Sequence, residues 1–119
     1  MEVDEEVKPR LIKKEVFFNF NHYNYGEAFF GSYKGMRYRL ARNPLKNVIF
    51  IPVADRGEAT FDASIWPEPR SYAETPAEAI ETRSFPFTEE GFEEAIDWFN
   101  EQYVTRKDYW CERRSILDT

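Results

Sequence analysis

Apolar positions recur at helical spacing late in the chain and at strand spacing over most of what precedes it. Phe92, Ala95, Ile96, Phe99 and Tyr103 follow the i, i+3, i+4, i+7, i+11 rhythm, which gathers them into one stripe at about 100° per residue. Glu90, Glu93, Glu94, Asp97 and Glu101 fall on the opposite side. Thr88 suits an N-cap, because its hydroxyl can accept from an orphan amide of the first turn, and Phe87 with Phe92 occupy the positions of a hydrophobic staple. Gly91 stands where a capping-box glutamate would. The pattern predicts an amphipathic helix ending near Tyr103, with Pro86 separating it from the strand before.

Upstream the period is two. Val16, Phe18 and Phe20 alternate with Phe17 and Asn19, a first strand that ends in the turn-rich residues 21–26. Residues 27–42 read as a hairpin turning at Lys34 and Gly35; in its second arm Met36, Tyr38 and Leu40 share one face, and Arg37 and Arg39 share the other. Asn43 and Pro44 stop that arm. The apolar run V-I-F-I-P-V at residues 48–53 predicts a short buried strand with Pro52 at its end. Residues 59–66 alternate again, with Ala59, Phe61, Ala63 and Ile65 toward the core and Thr60, Asp62, Ser64 and Trp66 opposite. T-P-A-E at residues 75–78 signals a single helical turn with Thr75 as N-cap and Glu78 closing a capping box. Residues 80–85 are strand-like, and a second short helix after Tyr103 would set Tyr109 or Trp110 on the core. The expected fold is α+β: an antiparallel sheet of four or five strands with one C-terminal amphipathic helix packed on one face.

At 119 residues the chain fits one core. Residues 1–14 are charged and without a clean period, which predicts a flexible arm; residues 15–104 form the expected domain, and 105–119 an extension. The aromatic share of 18% beside a charged share of 32% excludes disorder throughout, since each buried ring removes on the order of 150–250 Å² from water. No apolar run is long enough to span a membrane and no basic, apolar leader opens the chain, so the expected location is the cytoplasm, without membrane contact. The single cysteine, Cys111, excludes an internal disulfide and a cysteine-based metal cluster.

Charge is segregated. Residues 28–54 carry 5 bases and no acid, whereas residues 55–101 carry 13 acids against 3 bases, a local −10 within an overall −6. The carboxylates Glu90, Glu93, Glu94, Asp97 and Glu101 on one helix face create a field able to steer a basic partner or imitate a phosphate backbone. Glu90 with Glu94, and Glu94 with Asp97 and Glu101, also stand at spacing that could hold a hard cation, but no loop with calcium-binding spacing accompanies them, and the reading is a solvated acidic face without metal. The competing signal is Lys34, Arg37, Arg39 and Arg42 interleaved with Tyr33 and Tyr38, a composition suited to phosphate contact and base stacking; nucleic acid is the alternative partner, which the acidic pI of about 4.9 opposes. His22 has no partner at catalytic spacing, and no phosphate-binding loop or dinucleotide fingerprint occurs, so the sequence gives no ground for an enzyme or a cofactor.

The strings G-S-Y-K-G-M-R-Y-R-L at residues 31–40, I-W-P-E-P at 65–69 and F-P-F-T-E-E-G at 85–91 resemble small uncharacterised proteins carried on bacterial mobile elements. Strands followed by a helix are also similar in layout to the arm-binding domains of phage integrases. The first resemblance carries no catalytic residues; it implies a genomic setting in which compact acidic proteins block host nucleases or restriction systems. The expectation is a non-enzymatic acidic protein that engages a basic, nucleic-acid-handling protein as an inhibitor or accessory factor.

Overall fold

Lys34 and Gly35 both take positive φ, 48° and 100°, the type I′ arrangement whose twist matches that of paired strands. They join β1 (Phe29–Tyr33) to β2 (Met36–Asn43), with Tyr33 opposite Met36 and Phe29 opposite Leu40. β3 (Thr60–Pro67) and β4 (Glu81–Pro86) follow, and the sheet runs antiparallel in the order β1-β2-β3-β4. Helix α1 (Glu89–Thr105) packs on β3 and β4, and the short α2 (Lys107–Glu112) turns back to bury Trp110. The structure, a computed structural model, describes residues 11–68 and 70–112. Of the arm expected at residues 1–14, residues 1–10 lie outside the described residues, as does the end of the extension, 113–119, whereas Ile12 is buried in the core.

The fold is the α+β arrangement that the periods imply, with four strands among the described residues. Met36, Tyr38 and Leu40 from β2 and Phe61, Ala63 and Ile65 from β3 form the buried sheet face. Phe92, Ala95, Ile96, Phe99 and Tyr103 meet it from α1. Phe99 lies 5.1 Å from the Tyr38 ring and Phe92 5.5 Å from Phe61, ring separations at which aromatic pairs add to area burial. Thr88 caps α1 by accepting from the Gly91 amide at 2.9 Å. The missing capping-box glutamate has a steric cause: a Cβ at position 91 would stand 1.8 Å from the Pro86 carbonyl oxygen.

Two expected strands are absent. Residues 14–25 form 3-10 turns, Lys14–Phe17 and Phe20–Tyr25, which cover the sheet beside α1. The Asn19 side chain accepts from the His22 amide and starts the second turn, so local hydrogen bonding overrides the alternation. The buried residue is Phe17, stacked on Phe99 at 5.5 Å, while Val16 and Phe18 are exposed. Residues 48–53 are also irregular. Val48 is buried and its amide donates to the Asn24 carbonyl, but Phe50 is 93% exposed. Pro52 lacks a ladder donor, and Arg56 holds the segment in a bend by donating from Nε to the Ile51 carbonyl at 2.7 Å. The turn expected at residues 75–78 is present as a 3-10 turn at Ala77–Ala79 without the capping box, because the Thr75 hydroxyl donates to the Ser71 carbonyl instead.

One long-range clasp ties the start of the described chain to the helix. Asn100, buried in α1, accepts from the Ile12 amide at 2.7 Å and donates to the Ile12 carbonyl at 3.0 Å. A single side chain satisfies both polar groups of a buried backbone unit.

Candidate functional site

α1 and β4 diverge at the surface, and their side chains border a groove of about 420 Å³. Glu94, Asp97 and Glu101 line one wall, one above the next on the solvent side of the helix, as their spacing requires. Trp98 stands between them, largely buried with its ring 6.2 Å from Phe85. The opposite wall is β4, with Arg83, Ser84, Phe85 and Pro86. Among the described residues β4 pairs only with β3, so its outer edge adds a row of backbone donors and acceptors to the groove.

The remaining residues of the acidic stripe sit elsewhere. Glu90 is exposed beyond the groove, near the helix start. Glu93 turns toward the N-terminal segment, where the Lys14 ammonium donates to its carboxylate at 2.6 Å. The stripe expected from the wheel thus divides into a groove set, Glu94, Asp97 and Glu101, and a helix-start set. Among the described residues, no three histidine, cysteine or carboxylate side chains converge as cation ligands.

The basic hairpin divides as well. Arg37 and Arg39 occupy the sheet face away from α1, where the Arg39 guanidinium lies 4.8 Å from the Tyr72 ring centre and 5.8 Å from that of Phe30. Residues 70–72 roof part of this face: Trp66 donates from Nε1 to the Arg70 carbonyl at 2.8 Å, and Tyr72 packs against Trp66. Lys34 sits at the hairpin tip over Tyr33. Arg42 does not belong with them. It has the parity of Met36, Tyr38 and Leu40, so its side chain enters the core side and is 2% exposed. The expected four-residue phosphate surface therefore reduces to Lys34, Arg37 and Arg39.

His22 lies between the rings of Phe18 and Tyr23, and Cys111 is exposed on α2. Two core phenols are perturbed. Burial pushes Tyr38 up to about 12 and, with the nearby Tyr38 hydroxyl contributing, raises Tyr23 further. Tyr23 donates to the Phe17 carbonyl at 2.7 Å, which gives it a structural task. Three participants escaped sequence reasoning: Trp98 and the β4 edge in the groove, and Arg56 beside Arg42. Trp98 did carry a signal, since it is four residues after Glu94 and three before Glu101.

Comparison of the chain with protein-family models, with curated proteins and with solved structures finds no match. Among the described residues no helix is long and apolar enough to cross a membrane.

Proposed function

We propose that this protein is a non-enzymatic binding module that presents the α1–β4 groove to a basic segment of a nucleic-acid-handling protein, as an inhibitor or accessory factor of a mobile element. The observation that carries the reading is the convergence of Glu94, Asp97 and Glu101 with an exposed sheet edge in one groove. An extended basic peptide fits both: its backbone would pair with β4 and its lysine or arginine side chains would reach the carboxylates. Trp98 and Phe85 offer the apolar floor on which such a contact gains affinity, since charges at a rim chiefly set on-rate and specificity.

The test is affinity capture from the native cell after nuclease treatment, comparing the unaltered chain with Glu94→Lys/Glu101→Lys. Both positions are exposed, so the melt should not change while the captured basic protein is lost. Equal capture by the reversed variant would exclude the groove. A second reading, nucleic-acid binding through Arg37 and Arg39, rests on their shared face and neighbouring aromatics. It requires a salt-sensitive gel shift that disappears in Arg37→Ala/Arg39→Ala.

A further inference from the structure

Arg42 is a buried cation, 2% exposed, with no anion beside it among the described residues. Its terminal nitrogens donate to backbone carbonyls, Nη1 to Pro44 at 2.8 Å and Nη2 to Arg56 at 3.5 Å, and its guanidinium stacks 5.4 Å from the Phe87 ring centre. Its Nε has no hydrogen-bond partner. A second guanidinium, that of Arg56, is close by; burial first, and the Arg56 charge second, push Arg42 down from its ordinary value.

The two arginines open onto a common pocket of about 330 Å³, lined by Phe20, Asn24, Arg42, Val53, Arg56 and Phe87, with Gly57 and Ala59 at its border. Among the described residues no acidic one lines it. Asn24, 5% exposed, donates from Nδ2 to Asn21, but its Oδ1 has no partner. A donor and an acceptor on two of the lining residues therefore both lack partners. The remaining walls are phenyl and aliphatic.

We infer that this pocket binds a small organic anion: a carboxylate or phosphate group held by Arg42 and Arg56, on a compact apolar body lying between Phe20 and Phe87. The pocket volume falls in the range of small-molecule sites, at its lower end, and suits a single ring. The anion offsets the repulsion between the guanidiniums, a gain that neutral water supplies only in part. The site is separate from the α1–β4 groove and does not depend on it.

The test follows the Arg42 Nε–H resonance by heteronuclear NMR in the isotope-labelled intact chain, titrated separately with benzoate, phenyl phosphate, inorganic phosphate and benzylamine. Benzoate or phenyl phosphate should move the resonance saturably, and whichever binds tighter identifies the headgroup. Val53→Trp, at a position 77% exposed and therefore tolerant of substitution, fills the pocket mouth and should weaken binding by about tenfold or more. The inference fails if neither aromatic anion saturates below about 10 mM. It also fails if benzylamine or inorganic phosphate binds as well as phenyl phosphate, or if Val53→Trp binds as tightly as the unaltered chain.

Discussion

Gly91→Ala sets two physical effects against each other. Helix propensity alone would stabilise α1 by about 0.8–1.0 kcal/mol, because glycine is a poor residue for a helix interior. The packing argues the reverse. The added methyl would stand 1.8 Å from the Pro86 carbonyl oxygen, 2.8 Å from its carbon and 3.2 Å from its nitrogen, all backbone atoms that no rotamer change can move. A carbon–oxygen contact needs about 3.3 Å, so the first turn of α1 must withdraw from β4 by roughly 1.5 Å. Phe92 follows directly and is fully buried against Phe61, and the Thr88 cap closes on the Gly91 amide. Overpacking of this kind costs about 1–3 kcal/mol, and weakening the cap adds up to about 1. After the propensity gain is subtracted, the net loss is about 2 kcal/mol, roughly 6–12 °C in Tm for a chain of this size. Thermal and urea unfolding of the purified variant measure it. A Tm equal to or above that of the unaltered chain would show that α1 does not approach β4 as closely as described.

Two further outcomes follow from the core. Asn100→Leu keeps the volume but leaves the Ile12 amide and carbonyl buried without partners, so stability should fall by about 2–4 kcal/mol and the Ile12 amide should exchange faster; unchanged protection at Ile12 would refute the clasp. Tyr38 has a folded-state value raised to about 12 from an ordinary 10.0, so its neutral form favours the folded state. That contribution is complete below pH 10.0 and is lost as the pH rises through about 12, with Tyr23 acting in the same sense. Tyrosinate absorbance followed together with circular dichroism should show the buried phenols ionising only as the fold is lost; their full ionisation in a folded chain near pH 10.0 would contradict their burial.

Where one period runs uninterrupted, sequence and structure agree. The β1–β2 hairpin, the core face of β3 and the apolar stripe of α1 are all legible because each residue's direction follows from its parity or its wheel angle. Residues 16–20 and 48–53 are equally apolar but carry local hydrogen-bonding devices, Asn19 in one case and Pro52 with Arg56 in the other, and these decide the backbone. Hydrophobic alternation cannot report them. Arg42 is legible as well: counting in twos from Met36 places it on the core side, apart from Arg37 and Arg39, whose charge it shares. The pocket around it is not. Its walls come from residues 20–24, 42, 53–59 and 87, which no spacing rule joins. In the α1–β4 groove the carboxylates were legible from the wheel, whereas the edge position of β4 depends on strand order, which the absence of the two expected strands fixes.

The order in which strands pair is also the order in which they are synthesised. Each strand meets the one just made, so the sheet can assemble from neighbouring strands with little loop entropy to overcome. The Ile12–Asn100 clasp, which spans 88 residues, joins the N-terminal segment to α1 beside the Lys14–Glu93 ion pair and the Phe17–Phe99 stack. It should close last during folding and open first under stress, which makes the N-terminal segment the point where proteolysis or a pulling force would begin to take the molecule apart.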